Sequence, residues 1–364
     1  MEKKRPIPKA SILDITPYVG GKSKAADGVR VVKLSSNETP LGPSPKAKAA
    51  YISAAESLHR YPDGNATALR QAIAHRYDLP IDNLICGAGS DELIGLLVHA
   101  YAGAGDEIVI SEHGFLMYKI YAQSFGASVA VAKETSLRSD VDALLAAVTE
   151  KTKIVFIANP NNPTGSYISE EEMNRLHAGL PAHVILAIDG AYAEYPDVSN
   201  YSDGSELVAV HDNVVMLRTF SKIYGLAALR IGWCYAPLHI VDILSRIRGP
   251  FNLSTPSIAA GIAAIEDISF TAATRAYNNR ELKNLEIALR KLGLTVHPSI
   301  ANFILVEFSE GAHNASAANE WLMKRGLIVR EVKNYGLPKC LRISVGETED
   351  NKAVVSALSE FLQS

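Results

Sequence analysis

The sequence is poor in cysteine and has no long hydrophobic run. Its three cysteines, Cys86, Cys234 and Cys340, each lie in an apolar stretch, and none has the spacing of a metal-binding knuckle. Buried free thiols are therefore expected rather than a disulfide, a zinc site or a cysteine nucleophile, and no metal site is predicted. Nowhere do about 18 apolar residues follow one another, which is the length that a transmembrane helix needs.

A strong charge of either sign is also missing. The formal net charge is −3 at pH 7 and the chain has no long basic run, so the sequence predicts no binding surface for nucleic acid or an anionic membrane. Residues 1–6 are basic but are not followed by an apolar stretch of signal-peptide length. We therefore expect a cytoplasmic protein whose partners are small molecules or another protein chain.

The length and composition are those of a globular protein with two domains. Single cores stop growing at roughly 250–300 residues, and this chain has 364. A hydrophobic content of 48% and a charged content of 21% exclude a mostly disordered chain. The prolines and paired glycines near the start work against regular structure. We predict an irregular N-terminal arm at 1–35, a large domain at 36–255 and a small C-terminal domain at 256–364.

Short apolar runs alternate with helix-length amphipathic stretches through the large domain. This alternation predicts right-handed crossovers and an α/β architecture, with a mainly parallel sheet of seven strands covered by helices on both faces. The pattern after residue 250 predicts a smaller α+β domain. The predicted strands are 84–86, 107–110, 128–132, 154–158, 184–188, 214–217 and 231–235 in the large domain and 302–307, 327–329 and 341–345 in the small one; helices include 91–101, 141–148 and 170–178.

Polar and glycine-rich clusters follow four of the predicted strands, at residues 87–92, 159–165, 189–192 and 218–222. In open α/β sheets, ligands bind just beyond the carboxyl ends of the strands, so the four clusters predict one cleft. In the first cluster, small residues and Ser90 leave backbone N–H groups free for a phosphate at a helix N-terminus. An ordinary strand-to-helix connection would show the same pattern.

Asp189 is the candidate carboxylate of this cleft. It ends an almost wholly apolar strand, so its charge needs a cation such as a protonated pyridine nitrogen. The alternative is a carboxylate that caps a helix or a turn. Tyr192, three residues on, could reach the same ligand.

Lys222 is the candidate amine. It is flanked by the hydroxyl groups of Thr219 and Ser221, and Arg230 follows eight positions later in a segment of small and apolar residues. Such surroundings suit a lysine with a lowered pKa beside a phosphate. The alternative is a solvated surface residue, as most lysines are.

These motifs together resemble a known family. Residues 162–165 (Asn-Pro-Thr-Gly), residues 189–192, and Ser221-Lys222 with Arg230 are similar in order and spacing to the class I/II aminotransferases of fold type I, which use pyridoxal 5′-phosphate (PLP). Within that family the chain most resembles the histidinol-phosphate aminotransferases, over essentially its whole length. The segments that carry this second resemblance are 15–18, 37–40, 60–64 and 341–346.

The resemblance implies a role for each residue of the cleft. Lys222 would hold PLP as a Schiff base, and Asp189 would pair with the pyridinium nitrogen. Tyr192 and Asn162 would hydrogen-bond the phenolic oxygen of the ring. Lys222 would also move the proton during a ping-pong transamination. The other cofactor-binding residues that the family implies are Gly89, Ser90, Ser221 and Arg230 at the phosphate, Phe115 stacked on the ring, Tyr61 from the second subunit of a homodimer, and Asp91 and Thr219.

Two positions depart from the common pattern of the family. Phe115 stands where many relatives have tyrosine, and an aromatic ring can still stack on the cofactor. Gly190 follows Asp189 where glutamate is usual, and the sequence assigns no effect to this change.

The same resemblance implies the substrate. Arg342 is the candidate clamp for a carboxylate or phosphate, because guanidinium can donate two parallel hydrogen bonds; a surface ion pair is the alternative. Arg330 and Tyr18 would help to recognise a substrate phosphate, and Asn37 is also expected at the substrate. The expected reaction converts L-histidinol phosphate and 2-oxoglutarate into imidazole acetol phosphate and L-glutamate, in histidine biosynthesis.

The motif at Lys222 leaves other activities open. An aromatic amino-acid aminotransferase of the same fold is the nearest alternative, and threonine-phosphate decarboxylase shares the cofactor residues but releases CO₂. A PLP-binding regulatory protein without turnover, or an α/β binding protein without a catalytic lysine, would belong to other functional classes. Assays with each substrate are needed to choose between them.

Overall fold

Seven strands form the main sheet of this protein, seen in a computed structural model that describes residues 6–18, 20–21 and 30–364. Residues 1–5 and part of the predicted arm lie outside the described residues. In chain order the strands are β1 (Val32–Lys33), β2 (Leu84–Gly87), β3 (Glu107–Ser111), β4 (Ser128–Ala132), β5 (Glu134–Thr135), β6 (Arg138–Ser139), β7 (Thr152–Ala158), β8 (Ile185–Asp189), β9 (Val214–Thr219), β10 (Gly232–Tyr235), β11 (Thr295–His297), β12 (Phe303–Glu307), β13 (Leu327–Ile328), β14 (Arg330–Glu331) and β15 (Cys340–Ser344).

Helices cover both faces of this sheet and one face of a smaller one. In chain order the α-helices of the described residues are α1 (Ala10–Leu13), α2 (Pro45–Ser53), α3 (Thr67–Tyr77), α4 (Ser90–Tyr101), α5 (Leu116–Phe125), α6 (Val141–Ala146), α7 (Glu170–Gly179), α8 (Ser205–Val210), α9 (Leu238–Ile247), α10 (Thr255–Glu266), α11 (Ile268–Lys291), α12 (Ala315–Lys324) and α13 (Thr348–Gln363). None of them is long and apolar enough to span a membrane.

The main sheet has the strand order β2-β10-β9-β8-β7-β3-β4. These are the seven strands predicted for the large domain, and all neighbouring pairs are parallel except the two that include β10. β10 runs antiparallel because the segment after β9 contains only the short 3-10 helix Ala227–Leu229 and not a crossover helix. The predicted mainly parallel sheet is confirmed, and β10 is its exception.

The central strands are buried on both faces. In β8, Leu186 and Ile188 belong to the apolar core on one side of the sheet, whereas Ile185 and Ala187 belong to the core on the other side. Successive side chains of a strand point to opposite faces, so two helical layers are needed to cover such a strand. This is why the strand appears in the sequence as a continuous apolar run.

The smaller unit is a four-stranded sheet of order β11-β12-β15-β14. One face packs in a core with residues of α11, α12 and α13. β11 was not predicted, because a strand of three residues leaves little pattern in the sequence. The predicted arm is not wholly irregular, since β1 pairs in parallel with β13 as a separate two-stranded sheet. The division at residue 255/256 stays a prediction, and α10 packs against α2 and α3.

Candidate functional site

The carboxyl ends of β7, β8 and β9 lie side by side. Ala158 pairs with Asp189, and Asp189 pairs with Leu217. Backbone hydrogen bonds continue past the strand ends, from the Asn159 N–H to the Asp189 carbonyl (3.0 Å) and from the Gly190 N–H to the Leu217 carbonyl (2.8 Å). Three of the four predicted clusters therefore meet at one edge of the sheet.

Lys222 lies in the turn between β9 and β10. Its Nζ donates a hydrogen bond to the carbonyl of Ser36 (3.2 Å) and lies 5.6 Å from the ring centroid of Tyr192. Burial lowers the pKa of Lys222 to about 8, and the positive charge of Arg342 acts in the same direction. Near physiological pH a fraction of such an amine is neutral. The neutral form is the one that attacks a carbonyl or accepts a proton.

Asp189 is buried, with 5% of its surface exposed. The Ala191 N–H donates to its Oδ1 (3.1 Å), and the Tyr118 hydroxyl donates to its Oδ2 (2.7 Å). Burial raises the pKa of Asp189, and these two hydrogen bonds oppose that shift. The carboxylate therefore still has lone pairs with which it could receive a cationic N–H group.

The hydroxyl oxygen of Tyr192 is hydrogen-bonded by Asn37. The Asn37 Nδ2 donates to the Tyr192 oxygen (2.8 Å), so the hydroxyl proton remains available to another acceptor. Burial raises the pKa of Tyr192 to about 12, which keeps this group protonated at neutral pH. Asn37 has a φ of 57° and is held by hydrogen bonds with Ser344 (2.9 Å) and Asn302 (2.8 Å).

A cradle for an anion forms where β10 passes the N-terminus of α4. A Cβ atom on Gly89 would lie 2.5 Å from Nη2 of Arg230, and a Cβ atom on Gly232 would collide with the backbone of Gly89 and Ser90. The absence of a side chain at Gly89 lets the Arg230 guanidinium lie beside the N-terminus of α4, and its absence at Gly232 lets β10 pack directly against that backbone. Positive charge and free helical N–H groups are features of phosphate sites.

Hydroxyl groups complete this cradle. The Thr219 hydroxyl donates to Oγ of Ser221 (3.0 Å), and Nη1 of Arg230 donates to the same oxygen (3.2 Å). Thr219, Ser221 and Arg230, which the sequence predicted as one site, are thus joined by hydrogen bonds. The hydroxyl-bearing residues of this cradle come just before Lys222 in the chain.

Arg342 joins the smaller unit to the main sheet. Its Nη1 donates to Oδ1 of Asn162, and its Nη2 donates to the carbonyl of Ser35 (2.7 Å). Within the described part of the chain its Nε is buried without a hydrogen-bond partner, and the guanidinium carbon lies 5.3 Å from the ring centroid of Phe303. Burial lowers the pKa of Arg342. Because Arg342 is buried, the alternative of a surface ion pair is wrong. A buried guanidinium that has further N–H groups to donate is suited to an anionic ligand.

Arg330 is the cross-strand neighbour of Arg342. The Arg330 guanidinium lies 5.9 Å from the ring centroid of Tyr18, and both residues line a cavity of about 510 Å³. The two predicted arginines therefore lie on one face of the smaller sheet, with Tyr18 beside the outer one.

Three other predicted residues lie at the edges of the site or apart from it. Tyr61 is 83% exposed and stacks on Phe251 at 4.7 Å, and among the described residues no hydrogen bond or ring contact joins it to the cradle. Oδ2 of Asp91 accepts a hydrogen bond from Tyr121 (3.2 Å), while burial raises the pKa of Asp91. Phe115 immediately precedes α5.

Tyr118 is a residue of the site that the sequence reasoning missed. It binds Asp189 from the first turn of α5, three residues after Phe115, and 1% of its surface is exposed. The spacing could have suggested it, since residues three apart on a helix share a face. Its contact with Asp189 nevertheless joins elements 71 positions apart, which no local pattern reports.

Proteins of known name resemble this chain over nearly its full length. Residues 29–358 match the family described as Aminotransferase class I and II. A histidinol-phosphate aminotransferase of Rhodospirillum centenum is 50% identical over 98% of this chain and 99% of its own length. The protein of the same name in Paramagnetospirillum magneticum is 52% identical, with the same coverage.

A solved structure resembles the whole chain. The crystal structure of histidinol-phosphate aminotransferase from Sinorhizobium meliloti, in complex with pyridoxal-5′-phosphate, superposes with a TM-score of 0.92 at 27% identity, covering 100% of this chain and 99% of that one. The resemblance thus includes both the main sheet and the smaller unit. With the sequence matches, it shows that this chain belongs to the class I and II aminotransferase family.

Proposed function

We propose that this protein is a PLP-dependent transaminase that transfers an amino group between L-histidinol phosphate and 2-oxoglutarate in histidine biosynthesis. The observation that carries the proposal is a half-buried amine of lowered pKa, Lys222, which lies between an anion cradle and a buried arginine. Relatives that are about half identical over nearly the full length support the choice of substrate.

The residues present fit both the phosphate group and the ring nitrogen of PLP. The cradle around Arg230 suits a phosphate, because it places a guanidinium group beside the N-terminus of α4 and the hydroxyl of Ser221. Asp189 suits a protonated ring nitrogen, since its buried carboxylate has no cationic hydrogen-bond partner among the described residues. When bound, PLP supplies an aldehyde that condenses with amines and a ring that withdraws electrons.

The protein groups then have separate tasks. Lys222 would hold the cofactor through its amine, and the same amine could accept and return a proton at the substrate. Asp189 would hold a proton on the ring nitrogen. Tyr192 has a hydroxyl proton and Asn162 an amide N–H₂ group to give to the phenolic oxygen, because Asn37 and Arg342 occupy their oxygens.

The substrate site belongs to the same proposal. Arg342 and Arg330 lie on adjacent strands, and two guanidinium groups suit a phosphomonoester better than a plain amino acid. Tyr18 lies beside Arg330 at the cavity, and Asn37 fixes the hydroxyl of Tyr192. The cytoplasmic location expected from the sequence stays a prediction.

A homodimer is also proposed, in which Tyr61 completes the phosphate site of the partner. The supporting observation is that Tyr61 and Phe251 form an exposed aromatic pair beside a surface cavity of about 770 Å³. Exposed aromatic residues around a concave surface are typical of protein interfaces.

The direct test is an absorbance spectrum of PLP-loaded protein. We expect a visible band that shifts when histidinol phosphate is added and returns when 2-oxoglutarate follows. Lys222→Ala should abolish this cycle, while Lys151→Ala, at an exposed turn, should leave it unchanged. A band that does not respond would reject this substrate, and the absence of a band would reject the cofactor.

Rival activities are separated by kinetics. Values of kcat/KM for histidinol phosphate, tyrosine and phenylalanine should favour the phosphate ester by at least tenfold, about 1.4 kcal/mol. Release of CO₂ from threonine phosphate should be absent. A preference for tyrosine would instead identify an aromatic amino-acid aminotransferase.

A further inference from the structure

The Tyr118 hydroxyl is directed at the carboxylate that the proposed function assigns to the cofactor ring. It donates to Oδ2 of Asp189 at 2.7 Å, and the Ala191 N–H donates to Oδ1 at 3.1 Å. Among the described residues, each carboxylate oxygen thus has one protein donor. The orientation of the carboxylate is fixed, and at least one lone pair on each oxygen remains for a ligand.

The ring that carries this hydroxyl has little freedom to move. Tyr118 is 1% exposed and stacks on Phe156 of β7, with ring centroids 4.6 Å apart and planes 7° from parallel. Phe115 also packs against the Tyr118 ring, edge to face, with ring centroids 5.7 Å apart. Close packing of this kind holds a side chain in one rotamer, so the hydroxyl has a defined position.

The electrostatics of the pair favour a neutral donor and a charged acceptor. Burial and the nearby charge of Asp189 raise the pKa of Tyr118 well above its ordinary value, so the hydroxyl keeps its proton. For Asp189, burial raises the pKa and the hydrogen bond from Tyr118 lowers it. Without that bond the carboxylate would be easier to protonate.

We infer that Tyr118 is a positioning residue that keeps Asp189 ionised and correctly oriented for the protonated ring nitrogen of the cofactor. This inference rests on the proposed function, because it concerns the site assigned there to PLP. Tyr118 acts through Asp189 and need not touch the substrate. Its removal should therefore weaken recognition of the ring nitrogen specifically.

The test compares two ligands on apoprotein: PLP, and its analogue with carbon in place of the ring nitrogen. Tyr118→Phe keeps the buried ring and removes only the hydroxyl. We expect its affinity for PLP to fall roughly ten-fold, the size expected for one hydrogen bond to a charged group. Affinity for the carbon analogue, which has no N–H to offer, should be unchanged or tighter. Equilibrium ultrafiltration measures both constants without any turnover.

Tyr121→Phe is the matched control. Tyr121 lies one turn later on the same helix and also donates to a carboxylate, Oδ2 of Asp91 (3.2 Å). Any effect of this change should be equal for the two ligands. Thermal unfolding of the apoproteins checks that each variant is folded. If Tyr118→Phe does not fold, Phe156→Leu, which loosens the ring but keeps the hydroxyl, should show a smaller loss that is again selective for PLP.

The outcomes separate this inference from the proposed function. An equal loss for both ligands in Tyr118→Phe, or no loss for either, would overturn the positioning role while leaving PLP as the cofactor. Failure of the wild-type apoprotein to bind PLP would overturn the proposed function, and the inference with it. A loss confined to PLP would support both.

Discussion

At the scale of single residues, the chemistry depends on what surrounds Lys222. The ordinary pKa of a lysine is 10.5, and burial together with Arg342 lowers that of Lys222 to about 8. Below this pH the amine is mostly protonated and cannot attack an aldehyde; above it the neutral form dominates. The shift therefore makes the amine reactive near physiological pH.

The rate at which apoprotein takes up PLP should consequently rise with pH and reach a plateau, with a midpoint near 8. Stopped-flow absorbance between pH 6 and 11 measures it. Arg342→Gln removes a neighbouring positive charge and should move the midpoint upward. A midpoint near 10.5 in the wild type would contradict the lowered pKa.

Gly190, whose departure from the family pattern had no explanation in the sequence, is closely surrounded by its neighbours. A Cβ atom there would lie 3.0 Å from Cδ of Arg218 and 3.2 Å from Cβ of Ala193. Arg218 is buried and bound to Glu194 (2.8 Å) and Asp203 (2.6 Å). Gly190 therefore leaves room for the buried side chain of Arg218 next to the end of β8.

Gly190→Ala should then destabilise the apoprotein by about 1–3 kcal/mol, the usual cost of overpacking a core. Urea unfolding measures the change. Gly103→Ala is the control, because a Cβ atom at Gly103 has no neighbour within 4 Å. Equal stability of the two variants would show that Arg218 can move aside without cost.

At the scale of elements, the turn from β9 to β10 makes the cradle. β10 returns antiparallel between β9 and β2, so Gly232 pairs with Thr219 on one side and Gly87 on the other. This placement brings Arg230 next to the N-terminus of α4. A crossover helix would have carried the chain away, and the cradle would not have formed.

Arg230→Gln should lower the affinity of the apoprotein for PLP by roughly ten- to hundred-fold, as expected when charge-assisted hydrogen bonds are lost. Its affinity for pyridoxal, which lacks the phosphate, should stay the same. Arg246→Gln, on the exposed side of α9, is the control for charge. An equal loss for both ligands would mean that Arg230 supports the fold and does not bind phosphate.

At the scale of the whole molecule, the site is assembled from distant parts of the chain. Asn37 follows β1 and binds Tyr192 of the main sheet unit, and it is held by Asn302 and Ser344 of the smaller unit. Arg342 similarly reaches Asn162 and Ser35. Movement of the smaller unit would therefore change the substrate side of the site directly.

Active enzyme should be a dimer of twice the chain mass of 39.2 kDa, since Tyr61 is exposed and, among the described residues, has no hydrogen bond or ring contact with the cradle of its own subunit. Light scattering coupled to size exclusion measures the mass. Tyr61→Phe should weaken PLP binding, whereas Tyr51→Phe, also exposed on the surface, should not. A fully active monomer would contradict the proposed homodimer.

The strands of the main sheet could be predicted because their signal is local. Residues 184–188 form an unbroken apolar run, which a strand buried on both faces requires. The clusters after the strands could be assigned to one cleft for a similar reason, since parallel strands end at the same edge of a sheet. The motifs and the family that they resemble then predict the roles of Lys222, Asp189 and Arg230.

Contacts between distant segments were decided only by the tertiary structure. The pairing of β1 with β13 joins residues almost 300 positions apart, and the hydrogen bond from Tyr118 to Asp189 joins two layers of the fold. By itself the sequence determined which segments form the strands of the main sheet and which side chains are candidates for the chemistry, because hydrophobic period and residue type are local properties. The tertiary structure decided which partners set the charge and orientation of those side chains, because these depend on packing between segments that no local pattern connects.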